Sequence, residues 1–409
     1  MLHDLNKRIQ QIQLLRCPNG KNKDGTVKPW TLIDWRETDY SYDLAYEVPL
    51  GYSVRDLEQE TDSISASVGA YIEINNRGGA VIVSIIREDF PNSIPYSHDL
   101  LELTKERQVL LGFDRMMKPI VHDFRVPHIM IPGQSGYGKT DLTRWILYQL
   151  ITRFSPDQLE INIIDMKGFS FLPFKNIPHI TTIARTLPQA ALVLKEAYEE
   201  MNHRSDQVWE SQDRNITKNF KWKIILIDEA SQISPELKKD KQEKKIASLC
   251  WQYSAAISCI GREASVGLIY ATQYPTAQVI DGQIKANMDA VVCFKTENTI
   301  HSNVCLNSDL AAKLPHGKPG RAIVKANGFT EIQVPYIGDD YEWEQLLRPY
   351  TTNGRIVIND YHKEGTTQKK YTDVYIPSAD SGYEFNSKVL DWSWFPNKAS
   401  VRNDGRPSR

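Results

Sequence analysis

The clearest indication of the fold of this chain is the stretch Gly133-Gln134-Ser135-Gly136-Tyr137-Gly138-Lys139-Thr140. It matches the pattern G-x-x-x-x-G-K-[ST], a phosphate-binding loop in which glycines let backbone N–H groups surround the phosphates. In such a loop the lysine, here Lys139, reaches the β and γ phosphates, and the hydroxyl of Thr140 can ligate Mg²⁺. The stretch therefore predicts a site for a nucleoside triphosphate, which we take to be ATP, together with Mg²⁺.

The residues on either side of the loop support this prediction. An apolar segment, residues 128–131, runs into it, and apolar residues at helical spacing follow it: Leu142, Trp145, Ile146, Leu150 and Ile151. Strand, loop and helix thus occur in the required order, and the positive end of the helix dipole faces the phosphates. The alternative is a glycine-rich turn that binds no nucleotide, and this context disfavours it.

Composition limits the class of protein. The chain has 409 residues, of which 41% are hydrophobic and 24% charged, and this length suggests two or three folded domains. Its net charge of −2 gives no general attraction to nucleic acid, so any DNA contact must come from local patches or from a ring of subunits. No apolar run approaches the length of about 18 residues that a membrane span needs. The five cysteines show no C-x-x-C spacing and are typical of reduced thiols in a cytosolic protein.

The region before the loop predicts two segments. Residues 1–27 comprise an amphipathic helix, with Leu2, Leu5, Ile9 and Ile12 on one face, and a linker rich in turn-forming residues. This helix could dock on its own domain, on a neighbouring subunit or on a membrane surface. Residues 28–108 predict a small α+β domain that contains a hairpin of residues 70–74 and 80–86.

Residues 109–337 alternate strand and helix signals and predict an α/β core. Short apolar strands are expected at residues 129–132, 159–164, 223–227, 267–271, 290–294 and 320–325. Continuous apolar runs of this kind indicate a parallel sheet covered by helices on both faces. Residues 338–409 are expected to form a small strand-containing appendage with a frayed end.

Two carboxylates follow the apolar run 224–227. In a phosphate-loop ATPase the first, Asp228, would help to hold Mg²⁺ through its water shell, and the second, Glu229, would polarise the attacking water. Carboxylates also follow unrelated apolar strands, but here they lie inside an alternating α/β region.

Further polar residues flank the strand at 267–271. Gln273 ends it and could hydrogen-bond the γ-phosphate, although it could also be an ordinary polar strand end. Arg262 lies before it and could pair locally or project into a neighbouring subunit's site as an arginine finger. The mixed charge run at residues 236–245 reads as a solvated helix face, with a DNA-binding patch as the alternative.

Taken together, these motifs resemble the FtsK/SpoIIIE family of DNA-translocating motors over residues 109–337. The matching segments, in chain order, are Pro127-His128-Ile129, Asp165-Met166-Lys167, Ile177-Pro178-His179, Asp228-Glu229, Arg262, Ala271-Thr272-Gln273-Tyr274-Pro275 and Ile284-Lys285-Ala286-Asn287. The resemblance implies a RecA-like ATPase core assembled as a homo-hexameric ring, with ATP at the subunit interfaces and DNA in the pore. It also places Arg262 at the position of a trans-acting arginine and Lys285 near the DNA-facing loops. A lysine that caps a helix is the alternative for Lys285.

The layout is most similar to the FtsK-type coupling proteins of Gram-positive conjugative elements, because membrane spans and a winged-helix domain are not evident. This resemblance implies a relaxase and membrane-anchored conjugation proteins as partners. The expected location is the cytoplasm, free or at the inner face of the membrane. Two other functions stay open: an ATPase that drives protein secretion, and a nucleotide-regulated assembly factor that does not translocate.

Overall fold

The structure is a computed structural model that describes residues 2–16, 28–77, 80–87, 90–326 and 328–351. Within these ranges the chain divides into two units, residues 2–87 and residues 90–351. No helix in the described ranges is long and apolar enough to cross a membrane. Of the appendage expected over residues 338–409, the part beyond residue 351 lies outside the described residues.

The first unit is an antiparallel sheet with helices packed on one face. Its elements are α1 (Leu2–Arg16), β1 (Leu32–Glu37), β2 (Ser41–Glu47), α2 (Val54–Glu58), α3 (Thr61–Val68), β3 (Ile72–Arg77) and β4 (Ala80–Ile86). The four strands lie in the order β1-β2-β4-β3. β3 and β4 pair antiparallel with Ile74 opposite Val83, so the predicted hairpin is confirmed.

Helix α1 packs inside this first unit. Ile9 is fully buried in the same cluster as Trp30 and Ile64, and the Gln13 side chain accepts a hydrogen bond from the Trp30 backbone at 3.0 Å. Of the three docking places considered for the helix, its own domain is the one observed.

The second unit is built on a ten-stranded sheet. Its elements are β5 (Ile94–Pro95), β6 (Gln108–Phe113), β7 (Pro119–Asp123), β8 (Ile129–Pro132), α4 (Lys139–Ile151), β9 (Leu159–Ile164), β10 (Ile180–Ala184), α5 (Leu187–Ser211), β11 (Trp222–Ile227), α6 (Lys241–Ile260), β12 (Val266–Thr272), α7 (Gly282–Ala286), β13 (Ala290–Phe294), α8 (Thr299–Leu306), α9 (Leu310–Lys313), β14 (Arg321–Lys325), β15 (Phe329–Gln333), β16 (Pro335–Tyr336) and α10 (Asp340–Leu347). The strand order is β10-β9-β11-β12-β8-β13-β14-β15-β6-β7, and β5 pairs with β16 in a small separate sheet.

The central strands confirm the predicted α/β fold. The six strands from β10 to β13 are parallel, and every residue of β11 and β12 is buried. Apolar side chains cover both faces of these strands, which is the arrangement that continuous apolar runs favour. The carboxyl ends of the parallel strands consequently meet at one edge of the sheet, which we call the carboxyl edge.

One strand differs from its prediction. β14 was expected to be parallel to the others, but it pairs antiparallel with β13. A parallel connection needs a crossover that returns the chain to the opposite edge. The segment that contains α8 and α9 does not make that return; β14 begins beside the phosphate loop, where the Gly320 N–H donates to the Tyr137 carbonyl at 2.9 Å.

The unit boundaries also differ from those expected. The second unit begins near residue 90 rather than at residue 109, because β5 and β6 pair with strands of that unit. It also extends past residue 337, since α10 buries Trp343 and Leu347. Local composition marked neither boundary, because both are set by pairing and packing with distant parts of the chain.

Candidate nucleotide site

The loop between β8 and α4 lies at the carboxyl edge of the sheet. Gly133 and Gly138 have φ angles of +147° and +103°, a region that side chains other than hydrogen rarely adopt. Space also requires glycine: a Cβ at Gly138 would lie 3.1 Å from the Gly320 nitrogen, and one at Gly133 would lie 2.6 Å from the Phe294 Cβ. The backbone of the loop therefore forms the tight, concave turn in which successive N–H groups can surround a phosphate.

Lys139 is the first residue of α4 and is buried. Its Nζ donates to the Gln134 carbonyl at 2.6 Å, so the ammonium lies over the loop. Burial lowers the pKa of Lys139 to about 8, although the negative charges of the Glu229 and Asp228 carboxylates act to raise this pKa. A phosphate near this nitrogen would favour the charged ammonium and compensate for its burial.

Asp228 follows the last residue of β11 and is also buried. Its Oδ2 accepts a hydrogen bond from the Ser170 hydroxyl at 3.0 Å. Burial raises the pKa of Asp228 to about 6, and the nearby Asp165 carboxylate raises it further, while the Ser170 hydrogen bond opposes the rise. Asp165 follows the last residue of the neighbouring strand β9, and Ile164 pairs with Ile227, so the register of the sheet brings the two carboxylates together.

The donor set fits Mg²⁺ held jointly with a nucleotide. Within the described ranges, no group of three or more His, Cys, Asp or Glu residues could hold a metal. Mg²⁺ commonly binds through one or two protein oxygens together with waters and substrate phosphates. Thr140, on the first turn of α4, and Asp228 are oxygen donors of this kind.

Glu229 lies two residues beyond β11, and several hydrogen bonds hold its carboxylate against the end of the neighbouring strand β12. Its Oε1 accepts from the hydroxyls of Thr272 and Ser231, both at 2.8 Å. The Gln273 backbone N–H lies 3.1 Å from each carboxylate oxygen, and the Lys167 Nζ lies 3.9 Å from Oε2. β11 and β12 are neighbours, so the residues that follow them meet. Glu229 and Gln273 are thus brought together, through the backbone of Gln273.

Sequence reasoning assigned no role to three of these hydrogen-bond donors. Thr272 lies within the polar end of its strand, but only the pairing of β11 with β12 places its hydroxyl on Glu229. Ser231 follows Glu229 by two residues, a spacing typical of local capping, and could have been found from it. Ser170 carries no pattern in the sequence that marks it.

Arg262 lies at the opposite edge of the sheet, where the parallel strands begin. Its side chain is 55% exposed, and its Nη1 lies 3.9 Å from Asp289 Oδ1. The seven residues of β12 separate it from the carboxyl edge, a distance of roughly 20 Å at about 3.3 Å per residue. The structure therefore does not bring Arg262 to the phosphate loop of its own chain.

Lys285 is used inside the fold. It lies in α7, and its Nζ donates to the Val304 carbonyl and to Asn307 Oδ1, the latter at 2.7 Å. Both acceptors are at the C-terminal end of α8, where carbonyl groups lack partners within the helix. These contacts correspond to the helix-capping alternative for Lys285.

The sequence and the fold of this chain are both similar to those of known proteins. Residues 103–275 match the FtsK/SpoIIIE family. Among curated relatives, the chain is similar to the DNA translocase FtsK of Helicobacter pylori, with 28% identity over 279 residues, 63% of this chain and 32% of that protein. The chain thus spans about a third of the length of this relative.

Two solved structures show the same fold. The pCW3 conjugation coupling protein TcpA, solved as a monomer with ATPgS, has a TM-score of 0.59 and 22% identity, covering 84% of this chain and 99% of that one. The type VII secretion ATPase EccC of Thermomonospora curvata has a TM-score of 0.51 and 21% identity, covering 64% of this chain and 33% of that one.

Proposed function

We propose that the protein is an ATP-dependent DNA translocase working as a ring of six identical subunits, and the match of residues 103–275 to the FtsK/SpoIIIE family supports this. Its proposed substrate is DNA of a conjugative or other mobile element. One observation carries the proposal: the phosphate loop and the Asp228 and Glu229 carboxylates share the carboxyl edge of the sheet, while a half-exposed arginine lies at the other edge.

In the proposed reaction each residue at the carboxyl edge has a separate task. Lys139 and the backbone of the loop bind the β and γ phosphates. Thr140, and Asp228 through the water shell of the ion, would hold Mg²⁺, which would neutralise phosphate charge. Glu229 orients the attacking water and accepts its proton. The Gln273 side chain hydrogen-bonds the γ-phosphate, since an amide can donate to phosphate and accept from water.

Arg262 is proposed to act on the nucleotide of the neighbouring subunit. It is too far from its own loop, and it is half exposed at the surface of its own chain. A head-to-tail contact that closes into a ring would bring the two edges of adjacent subunits together. An arginine finger supplied in this way contributes about 10³ to 10⁵ in rate.

The DNA substrate is supported by what the similar proteins are named. The curated relative is a DNA translocase, and TcpA is a conjugation coupling protein. A motor on such DNA would work with a relaxase and with membrane-anchored conjugation proteins, and we propose both as partners. Grip on DNA of any sequence would come from contacts to the phosphate backbone.

A second candidate is a protein-secretion ATPase, because the fold is also that of the secretion ATPase EccC. A third candidate is an assembly factor that binds nucleotide without translocating. Response to DNA separates these candidates from the first.

The experiment is an ATPase assay with single-stranded DNA, double-stranded DNA or no DNA, on protein sized by mass photometry. We expect the hydrolysis rate to rise with DNA and the stimulation to disappear at high salt, because phosphate contacts weaken as salt increases.

Two variants test the site residues in the same assay. Lys139→Ala should lose nucleotide binding, whereas Glu229→Gln should bind ATP but not hydrolyse it. A hydrolysis rate that is the same with and without DNA would contradict translocation. An unaltered hydrolysis rate in Glu229→Gln would contradict the assignment of Glu229 as the base.

A further inference from the structure

A buried arginine on the helix of the phosphate loop connects that helix to the end of the second unit. Arg144 lies on α4, and only 8% of its side chain is exposed. Its Nη2 lies 2.8 Å from Asp340 Oδ1 on α10, and its guanidinium lies over the Trp343 ring with the carbon 5.9 Å from the centroid. α10 lies beyond the residues that match the family.

The same arginine holds the loop that follows β9. The Arg144 Nε donates to the Ser170 carbonyl at 2.7 Å. The hydroxyl of that serine donates to Asp228 Oδ2 at 3.0 Å. A continuous chain of contacts therefore runs from Asp340 through Arg144 and Ser170 to Asp228.

The loop is fixed from its other side as well. Asp165 accepts hydrogen bonds from the backbone N–H groups of Gly168 at 2.9 Å and Phe171 at 3.3 Å. Phe174, just beyond the loop, is fully buried and packs against the Trp343 ring with centroids 5.7 Å apart. The loop backbone is thus held between the carboxyl edge and α10, and Arg144 supplies the polar contact on the α10 side.

From this arrangement we propose that Arg144, Asp340 and Trp343 form a clamp that positions Ser170, so that α10 sets the orientation of the Asp228 carboxylate. These are positioning residues, since none of them touches the nucleotide site directly. The guanidinium suits the role because its planar fork bonds a carbonyl and a carboxylate at once, which a lysine cannot reproduce. The inference rests on the proposed function, because it assumes that Asp228 holds Mg²⁺.

The contribution of such a clamp follows from general experience with metal sites. Groups that orient a metal-holding side chain typically change metal affinity by 10- to 100-fold when they are removed. Asp340 is 56% exposed, so its charge is partly screened by solvent and its loss should matter less than that of Arg144.

The test is the Mg²⁺ dependence of ATP binding and of ATP hydrolysis at fixed ATP, both measured on the full chain. In Ser170→Ala and Arg144→Lys we expect the Mg²⁺ concentration for half-maximal binding and for half-maximal rate to rise about tenfold, with a smaller change in the maximal rate. Ser170→Thr should restore the wild-type value, because it keeps the hydroxyl. Asp340→Asn should give an increase of about threefold.

A matched control lies on the same helix. Glu344 is exposed on α10, so Glu344→Gln removes one negative charge there without touching the clamp. We expect its Mg²⁺ dependence to equal that of the wild type. The melting temperature of each variant is measured in parallel, so that a variant that fails to fold is recognised. In that case the result for Ser170→Ala, the smallest change, tests the clamp.

The outcomes separate the two claims. An unchanged Mg²⁺ dependence in Ser170→Ala, or a lowered melting temperature as the only effect of the variants, overturns the clamp while the proposed function stands. A wild-type protein that neither binds nor hydrolyses Mg·ATP overturns the proposed function and the clamp with it.

Discussion

At the scale of single residues, burial decides the chemistry at both edges of the large sheet. At the carboxyl edge, Glu229 is buried and its oxygens accept hydrogen bonds from Thr272, Ser231 and the Gln273 backbone. These donors occupy the carboxylate oxygens, so we expect the hydrogen bonds around Glu229 to rearrange when the attacking water binds to this carboxylate.

At the other edge, His128 predicts how stability depends on pH. Its side chain is buried and its Nδ1 accepts from the Leu268 N–H at 3.2 Å. Burial lowers the pKa of His128 to about 4, whereas the unfolded chain has the ordinary value of about 6.5. Between these values the unfolded state binds more protons, so the free energy of unfolding falls as pH drops from 6.5 towards 4.

The measurement is urea unfolding of wild type and His128→Gln between pH 4 and pH 7. Wild type should lose stability more steeply than the variant below pH 6.5, by up to about 1.4 kcal/mol per pH unit for one proton. His203→Gln is the control, since His203 is exposed and should leave the slope unchanged. Equal slopes for wild type and His128→Gln would show that His128 is not held neutral.

The residues proposed to form the nucleotide site could be identified from the sequence, whereas their hydrogen-bond partners could not. Lys139, Asp228 and Glu229 each lie in a short local pattern, a glycine-rich loop or the end of an apolar strand. Thr272 and Ser170 touch the two carboxylates only because particular strands are neighbours and one loop folds back. Sheet order is a long-range property that local patterns do not contain.

At the scale of elements, the C-terminal end of α8 accounts for the contacts of Lys285, and the place where β14 begins accounts for the orientation of that strand. Helices α8 and α9 leave the chain at the carboxyl edge, so β14 returns antiparallel. The C-terminal end of α8 takes its donor from Lys285 on α7. An apolar strand reads the same in either direction, so its orientation could not be predicted from its residues.

Lys285→Met tests the capping role. It removes the donor to the Val304 carbonyl and to Asn307, so we expect a loss of about 1–2 kcal/mol in the free energy of unfolding, with stimulation of hydrolysis by DNA retained. Lys313→Met is the control, because Lys313 is exposed and pairs with Asp309, the residue before α9. Unchanged stability together with lost DNA stimulation would favour a DNA contact instead.

At the scale of the whole molecule, the proposed site is divided between the two edges of one sheet. Each chain presents a phosphate loop with its carboxylates at one edge and Arg262 about seven strand residues away at the other. Each chain would then complete its neighbour's site, and a closed ring would leave no site without an arginine. The α/β fold could be predicted from the alternation of strands and helices, but the assembly is a proposal that the single chain supports through the position of Arg262.

The most direct test of this claim is the ATPase rate of an equimolar mixture of Lys139→Ala and Arg262→Ala, on samples that mass photometry shows to contain rings. Each variant alone should be inactive, since one lacks the loop lysine and the other the arginine. In the mixture, about a quarter of the interfaces combine an intact loop with an intact neighbouring arginine, so we predict that activity returns. Full activity of Arg262→Ala alone, or mixed rings that stay inactive, would contradict the shared site.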